Sequence, residues 1–294
     1  MVDLDKFRKA GKISREAKVY ARTLVKEGAK ALDIAEAVEA KIEELGGKPS
    51  FPVDVSVNDM SAHYNPKVDD TLVLKKGDIV KIDMGAHVDG YITDTAFTVS
   101  IGKDKENDTL IRASEEALKV AISMAKPGTM IKDIGAAIED TMTKYGVRPI
   151  KNLSGHGVGL WQVHTKPSIP SFDDGNIQKL TIGQTIAIEP FATTGSGLVK
   201  SGAGSEVYSL ESEGNLRQFR EVLEWIKSEY RTLPFAKRHV TRKFGKLKAG
   251  LAIKLLLSKN IIKEYATLPE KTKGCKIAQS EHTIIVADKP EILT

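Results

Sequence analysis

The feature that most constrains the fold is the stretch DIVKIDMGAHVDGYITDTAFTV at residues 78–99. It places the pair Asp89-Gly90 between two runs of strand-forming residues, the strongest short-range signal for a hairpin with a two-residue turn. If this pair forms the turn, Val88 lies opposite Tyr91, and the numbers of all facing residues add up to 179. The sequence therefore predicts an antiparallel hairpin with a defined register.

The predicted register brings two aspartates to the same face of the hairpin. Asp83 lies opposite Ala96, and Asp94 is two residues from Ala96, so the two carboxylates are diagonal neighbours with backbones ~7–8 Å apart. Their strand neighbours, such as Ile82 and Phe97, are apolar, and carboxylates in such surroundings are costly unless a cation lies between them. Solvated strand residues on an exposed face are the alternative, and we favour a shared cation.

The order of helical and strand patterns predicts an α+β fold. Apolar residues at spacings of three and four predict helix over residues 5–46, and again over 109–125 and 131–145. Runs of strand formers predict four strand regions, at residues 71–82, 91–101, 183–191 and 276–287. Helix followed by strands, twice over, favours α+β over a regularly alternating parallel-sheet fold.

Composition limits the class of protein. The 294 residues suffice for one large domain or two smaller ones, and the single cysteine, Cys275, excludes an internal disulfide framework. No apolar run approaches the ~20 residues of a membrane-spanning helix. The N-terminal segment is charged from its third residue and lacks the apolar stretch of a secretory signal. We therefore expect a cytoplasmic protein without membrane contact.

Composition changes near residue 205. Residues 193–204, TTGSGLVKSGAG, are rich in glycine, and residues 211–263 are basic with largely helical apolar spacing. Strand character then returns at Ile277, so the helical block is expected to be inserted into a catalytic domain. We predict residues 1–205 plus 271–294 as the catalytic domain and 206–270 as an inserted helical subdomain.

The basic charge is concentrated in that helical block. The net charge is +5, and residues 231–254 contain eight Lys or Arg and no Asp or Glu. A solvated helical face is the interpretation we favour, and a nucleic-acid surface is the alternative. His239 in this block, like His87 beside the hairpin turn, is expected at the surface.

Residues outside the hairpin could complete a metal site. His156 lies between glycines in NLSGHGVGL, Glu189 ends the apolar strand TIAIEP, and Glu281 lies mid-strand in IAQSEHTIIV. A charge in an apolar strand needs a partner or a metal, although each glutamate alone could be an ordinary paired residue. With Asp83 and Asp94 they make four carboxylates and one imidazole, a set suited to two divalent first-row ions.

At these residues the sequence resembles the pita-bread metallopeptidases, which comprise methionine aminopeptidases, aminopeptidase P and prolidase. IDMGAHVDGYITDTAFTV resembles the paired-aspartate hairpin of that family, SGHGVG its histidine-ligand loop, and IAIEPF and QSEHT its two glutamate motifs. The 91 residues between Glu189 and Glu281, and the segment RTLPFAKRHV, resemble the type II methionine aminopeptidases in their compact archaeal form. This resemblance implies a pita-bread fold with an inserted, winged-helix-like helical subdomain.

The resemblance also implies a dinuclear centre. Asp83 would bind one ion, His156 and Glu189 the other, and Asp94 and Glu281 both, with the ions drawn from cobalt, manganese, iron or zinc. A hydroxide bridging the ions would attack the carbonyl of the initiator methionine of a nascent polypeptide, with a small second residue preferred.

Further roles are implied for residues around that centre. His63 and His164 would bind the substrate amide and stabilise the transition state, and Glu189 would also carry a proton to the leaving amine. Tyr265 is a candidate wall of the methionine pocket, with an ordinary packing tyrosine as the alternative. We expect a monomer, and residues 231–254 raise the hypothesis of docking on ribosomal RNA.

Two other functions remain open at this point. The first is an X-Pro aminopeptidase or prolidase that uses the same five ligands, against which the inserted segment argues. The second is a non-catalytic nucleic-acid-binding or ribosome-binding relative, against which the complete ligand set argues.

Overall fold

A computed structural model describes residues 3–294. Within that range no helix has both the length and the apolar character needed to cross a membrane. The helices of the described range are α1 (Leu4–Leu24), α2 (Ala31–Glu44), α3 (Lys105–Met124), α4 (Ile131–Lys144), α5 (Arg220–Tyr230), α6 (Lys237–Phe244) and α7 (Lys246–Ser258). Its strands are β1 (Lys48–Pro49), β2 (Asp54–Val57), β3 (Met60–Ala62), β4 (Ile79–Met84), β5 (Ala86–Val88), β6 (Tyr91–Ile92), β7 (Thr95–Ser100), β8 (Arg148–Pro149), β9 (Ser154–Gly159), β10 (Gln162–Pro170), β11 (Thr185–Ile188), β12 (Phe191–Thr193), β13 (Gly204–Leu210), β14 (Phe235–Ala236), β15 (Ile262–Ala266), β16 (Leu268–Pro269), β17 (Ile277–Gln279), β18 (His282–Ile285) and β19 (Glu291–Ile292).

Two helix pairs pack against antiparallel strands, as the α+β prediction requires. In α2 the apolar residues recur every fourth position and bury one stripe of the helix against β4. The pair α3 and α4 packs in the same way against β11 and β18. Each fully buried Ile or Leu in these layers contributes roughly 1.5–3 kcal/mol, so the two cores fix the helices on the sheets.

Hydrogen bonds of the backbone and of threonine side chains join the C-terminal strands to β7 and to Asp94, which precedes it. The backbone nitrogen of Gln279 donates to Thr98 Oγ1 at 2.8 Å, and the backbone nitrogen of Glu281 donates to the Ala96 carbonyl at 3.1 Å. A third link runs from Thr283 Oγ1 to the Asp94 carbonyl, at 2.8 Å. One edge of the hairpin, formed by β7, is therefore bonded directly to residues 279–283.

Glycine turns account for two of the wrongly predicted element boundaries. The helix expected over 5–46 is interrupted between α1 and α2, where Gly28 has a φ of +82° and its N–H donates to the Leu74 carbonyl. The strand expected over 71–82 begins only at Ile79, because the preceding turn contains Gly77 with a φ of +93°. Both breaks use a backbone conformation that glycine adopts without steric cost.

The helices α5 to α7 lie in sequence between β13 and β15, and β13 pairs with β15 on one side and with β14 on the other. Their apolar faces form a core of their own together with Tyr208 and Phe235. Residues 211–263 are therefore largely helical, as predicted.

Five of the eight cations of residues 231–254 are exposed, which confirms the expected solvated face, although most of the eight also have a partner within the protein. The guanidinium of Arg231 lies 4.4 Å from the centre of the Trp161 ring, and Arg238 is buried. Within the described part of the chain only Lys243 and Lys254 of the eight have neither an ion pair nor a ring contact. The ion pairs are Lys237–Glu206, Arg238–Glu39, Arg242–Glu36, Lys246–Asp69 and Lys248–Glu221.

Two histidines expected at the surface are enclosed. His87 is buried, its ring centre lies 5.0 Å from that of Trp161, and its Nδ1 accepts the N–H of Gly90 at 3.2 Å. His239 is largely covered because its Nε2 lies 3.1 Å from Glu39 Oε2 on α2. In both cases the partner comes from a distant part of the chain or from the turn itself.

Candidate metal centre

The hairpin has the predicted register. Val88 pairs with Tyr91, and Asp83 pairs with Ala96. Each arm of the hairpin is divided, however, into two short strands, β4 and β5 on one arm and β6 and β7 on the other. The continuous strand expected over 91–101 was therefore wrong, and Asp94 lies in the gap between β6 and β7. The side chains of Asp83 and Asp94 nevertheless line the same cavity, and each supplies an atom to one of two groups of possible ligand atoms that share Glu281.

His156 belongs to strand β9 rather than to a loop, which corrects the sequence expectation. The flanking glycines allow the neighbouring strands to approach closely. A Cβ atom on Gly155 would lie 2.4 Å from the Ala187 carbonyl oxygen, and one on Gly157 would lie 2.3 Å from the Lys166 carbonyl oxygen. His156 Nδ1 donates to the Gly157 carbonyl at 3.0 Å, which leaves Nε2 free to act as a ligand.

The two glutamates occupy different kinds of position. Glu189 follows the end of β11, as predicted. Glu281 was expected in mid-strand but lies in the break between β17 and β18, where its carbonyl accepts from Thr95 Oγ1 at 2.8 Å. Only 1% of the Glu281 surface is exposed.

Five side chains that are remote in sequence converge around Glu281. Ligand atoms of Asp94, His156 and Glu281 lie within 4.8 Å of one another, and so do those of Asp83, Glu189 and Glu281. His156 Nε2 is 3.6 Å from Asp94 Oδ2 and 3.8 Å from Glu189 Oε1. All five residues predicted as metal ligands are thus gathered in one cluster.

The cluster is electrostatically unfavourable without a cation. Burial, and then the nearby Asp54 carboxylate, raise the pKa of Asp83 to about 6. Burial and mutual repulsion raise the pKa values of Asp94, Glu189 and Glu281 well above their usual range. Burial lowers the pKa of His156, so its imidazole is neutral and able to bind a metal.

Several carboxylate oxygens of the cluster have no hydrogen-bond partner among the described residues. Asp83 Oδ1, Asp94 Oδ1 and both carboxylate oxygens of Glu281 are buried and have no hydrogen-bond partner within residues 3–294. Buried polar atoms are normally satisfied, and oxygen-rich sites with one imidazole match the preferences of divalent first-row ions. The residues present therefore fit a divalent metal centre.

Sequence reasoning missed Gln279 as a supporting residue. Its Nε2 donates to Asp83 Oδ2 at 3.0 Å and lies 3.3 Å from Glu189 Oε2, so it orients two carboxylates of the cluster. The available signal was its position two residues before Glu281, since strand residues two apart face the same side.

A cavity of about 270 Å³ opens beside the cluster. His63 and His164 both line it, as predicted for residues near the substrate. Tyr265 also lines it, with its ring edge-on to His63 at 6.1 Å between ring centres. The remaining apolar lining consists of Phe51, Pro52, Ala62, Leu153, Val163, Phe191, Val207, Pro234 and Leu268.

The two cavity histidines differ in their surroundings. His63 has a φ of +61° and its Nδ1 lies 3.2 Å from the Ala266 carbonyl, which can only accept, so Nδ1 carries the proton. Burial lowers the pKa of His63, and the neutral ring therefore presents Nε2 as an acceptor. The ring of His164 is 4.2 Å from that of His156; enclosure by the cavity walls, followed by the charges of His156 and His63, lowers its pKa.

Comparison with known proteins supports this interpretation of the site. The sequence profile of metallopeptidase family M24 matches residues 5–253. The chain is 43% identical over 296 aligned positions to a methionine aminopeptidase of Pyrococcus abyssi, covering 100% of this chain and 99% of the relative. It is 40% identical over 286 positions to a methionine aminopeptidase of Methanocaldococcus jannaschii, covering 97% and 95%.

Solved structures share the architecture. The methionine aminopeptidase from Thermotoga maritima superposes with a TM-score of 0.72 at 27% identity, covering 99% of this chain and 95% of that one. A prolidase from Pyrococcus furiosus gives a TM-score of 0.64 at 20% identity and is covered over 63% of its length, a likeness of fold alone. The α+β pita-bread architecture is thereby confirmed.

Proposed function

The chain belongs to metallopeptidase family M24, and from that premise we propose the chemistry by which it removes N-terminal methionine from polypeptides. Its full-length identity to archaeal methionine aminopeptidases, 43% to the Pyrococcus abyssi protein, makes it a methionine aminopeptidase of the type II kind. One observation supports the proposed chemistry most strongly, the convergence of four carboxylates and one imidazole around Glu281 beside an apolar cavity.

We assign the five clustered residues as ligands of two divalent ions. Glu281 belongs to both groups of ligand atoms, which supports a position between the ions. The 3.8 Å between His156 Nε2 and Glu189 Oε1 supports a shared ion for that pair. Asp94, which lies near both His156 and Glu281, would contact both ions as well, and Asp83 would complete the coordination of the other ion. Manganese, iron, cobalt and zinc all suit this donor set.

When bound, divalent ions supply a water of lowered pKa and polarise the carbonyl that is attacked. The chain's own residues then position the substrate. His63 Nε2 would accept the N–H of the scissile amide, and His164 would donate to the developing negative oxygen, a contact whose loss typically costs ~10²–10³ in rate. Glu189 would take a proton from the attacking water and deliver it to the leaving amine.

Selectivity would come from the shape of the cavity. Its apolar walls, among them Phe51, Leu268 and Tyr265, suit an unbranched thioether side chain. A free α-amine in its neutral form could coordinate one of the ions, which would confine cleavage to the N-terminus of the substrate. Limited space beside the cluster would favour a small second residue.

We propose residues 206–270 as a helical subdomain inserted into a catalytic domain of residues 1–205 plus 271–294. The separate apolar core of α5 to α7 supports this division. The proposed subdomain also supplies Tyr265 and the Ala266 carbonyl to the cavity. It would therefore take part in shaping the substrate site.

Docking on ribosomal RNA has less support, because most cations of residues 231–254 are already paired within the protein. Lys243 and Lys254 are the exposed ones that remain. If they contact RNA, replacing both with Glu will weaken co-sedimentation with ribosomes at low salt. Unchanged co-sedimentation removes the hypothesis.

The proposed activity is tested by the peptides that the protein cleaves. We expect release of free methionine from Met-Ala-Ser, and none from the same peptide with an acetylated N-terminus, because an acetylated nitrogen cannot coordinate a metal ion as a free amine would. Cleavage of Ala-Pro peptides in preference to Met-Ala-Ser would favour an X-Pro peptidase instead. Failure to cleave either peptide with metal present would favour a non-catalytic relative.

A further inference from the structure

Arg238, in the first turn of α6, is a buried cation that joins the helical segment to the catalytic body. Only 4% of its surface is exposed. Its Nη2 donates to Glu39 Oε1 on α2, and its Nη1 donates to Asn65 Oδ1 in the loop after β3. Glu39 is held in turn by His239 and by the backbone N–H of Val53, at 3.1 and 3.0 Å.

Asn65 connects Arg238 to residues that lie beside the cavity. Its Nδ2 donates to the Val53 carbonyl at 2.9 Å and lies 3.3 Å from Asp54 Oδ1. Asp54 is buried, lines the cavity and faces Asp83 across the β2–β4 pair. The loop containing Asn65 is therefore tied at one side to Arg238 and at the other to the strand beside the metal centre.

The end of this chain of contacts is the backbone of His63. The backbone of His63 lies two residues before Asn65 in the same loop, and its N–H helps to lower the pKa of the Asp54 carboxyl, which burial raises to about 7. His63 has a φ of +61°, a conformation that residues with a Cβ rarely adopt and that persists only where the surroundings fix it. The Asp54 contact at its N–H and the Ala266 contact at its ring supply that restraint.

A purely structural anchor would not need this arrangement. Arg242, one turn later on α6, also bonds to a glutamate of α2, with 2.7 Å between Arg242 Nη2 and Glu36 Oε1. That pair is exposed and has no link to the loop that carries His63. The planar guanidinium of Arg238 instead divides its donors between Glu39 and Asn65, which a point charge would do less well.

We infer that Arg238 and Asn65 are positioning residues for His63, acting through Asp54 to hold the His63 ring where it meets the scissile amide. This inference rests on the proposed function of His63. The helical segment would thereby control catalysis through a polar connection as well as through the cavity wall.

The test compares Asn65→Ala with the wild-type protein. This variant removes the Asn65 contacts to Asp54, Val53 and Arg238 but keeps the Arg238–Glu39 ion pair, and a circular dichroism spectrum and thermal unfolding check that it is folded. We expect kcat for Met-Ala-Ser to fall about 10- to 100-fold, the usual effect of removing a residue that orients a functional group, with little change in KM. Arg238→Ala should act in the same direction, and Arg242→Ala is the matched control that leaves kcat unchanged.

Combining Asn65→Ala with His63→Ala separates positioning from general damage. If Asn65 acts through His63, adding Asn65→Ala to His63→Ala lowers kcat no further, because the group it positions is already gone. If Asn65→Ala lowers kcat by the same factor in the wild-type and the His63→Ala proteins, the inference is overturned. A wild-type kcat in Asn65→Ala would overturn it as well.

A readout independent of activity keeps this inference separate from the proposed function. In protein labelled with ¹⁵N-histidine, the ring signals of His63, assigned by their loss in His63→Ala, should shift in Asn65→Ala and stay in place in Arg242→Ala. Unshifted His63 signals in Asn65→Ala would overturn the inference. Absence of methionine release by the wild-type protein would instead contradict the proposed function, and the His63 signals would still decide whether the link exists.

Discussion

The buried carboxylate of Glu281 should favour metal binding but destabilise the metal-free protein. Its side chain is buried among three other carboxylates, and burial followed by repulsion from Asp94 raises its pKa well above the usual value. Sequence reasoning found all five clustered residues because each was a charged or metal-binding type in an apolar or glycine-rich context. It missed Gln279 and Asp54, since an amide or an aspartate near a strand end is common without any functional role.

Replacing Glu281 with Gln should stabilise the metal-free protein while weakening metal binding and methionine release. Removing one buried negative charge relieves repulsion, and such exchanges at functional sites commonly add about 0.5–2 kcal/mol. Because the folded-state pKa is raised, wild-type stability should fall as pH rises above about 4.5, and the variant should fall less steeply. Thermal unfolding in chelator at several pH values measures this, with the exposed Glu43→Gln as control. A variant less stable than wild type at pH 7 would contradict the account.

Lys81 provides a second pH-dependent test. Its buried ammonium donates to the carbonyls of Asn58 and Ile277 at 3.0 and 3.1 Å, and burial lowers its pKa to about 7. Between pH 7 and the unfolded value of 10.5, the unfolded chain binds more protons than the folded one. Wild-type stability relative to Lys81→Met should therefore increase with pH across this window, as measured by urea unfolding. Parallel pH curves for the two proteins would exclude this role.

At the scale of elements, local signals predicted the hairpin well and the strand breaks poorly. The register of β4 with β7 follows from the turn at Asp89-Gly90 because side chains alternate strictly from it. The start of α3 was predicted too late, since Asp104 caps it by accepting from the backbone N–H of Glu106 at 2.9 Å. The gap that holds Glu281 depends on hydrogen bonds to β7, which lies far away in sequence.

The hairpin turn should tolerate no side chain at Gly90. This residue has a φ of +86°, and a Cβ atom there would lie 2.3 Å from ring atoms of Trp161. Gly28 has a φ of +82° with no atom within 4 Å, so Gly28→Ala isolates the backbone cost, about 1–2 kcal/mol. Gly90→Ala should cost a further ~1–3 kcal/mol from overpacking. Urea unfolding of both variants measures the difference, and equal losses would show that the Trp161 ring moves aside freely.

At the scale of the whole molecule, ion pairs attach helix α6 to helix α2. Residues 231–254 contain no acidic residue, so the sequence predicts a solvated basic face, and the exposure of most of these cations confirms it. The sequence could not predict their partners: those of Arg238 and Arg242 lie on α2, about 200 positions earlier, so no local pattern could reveal them.

The buried and the exposed contacts of this attachment should differ sharply in strength. Glu39→Gln leaves Arg238 without its buried counter-charge and should cost about 3–5 kcal/mol. Glu36→Gln removes an exposed pair and should cost less than about 1 kcal/mol. Burial alone would raise the pKa of Glu39, but Arg238 and His239 outweigh it and hold the pKa at about 2, so its stabilisation should disappear as pH falls from 4.5 toward 2. Unfolding free energies measure both effects, and similar losses for the two variants would contradict this difference.

The central claim is that Asp83, Asp94, His156, Glu189 and Glu281 hold divalent metal that the reaction requires. The most direct measurement is methionine release from Met-Ala-Ser by metal-stripped protein to which manganese, iron, cobalt and zinc are added back one at a time. We predict no release by the stripped protein and recovery with at least one of these ions, approaching saturation near two equivalents. Full activity in the stripped protein, or no recovery with any divalent ion in protein that remains folded, would contradict the account.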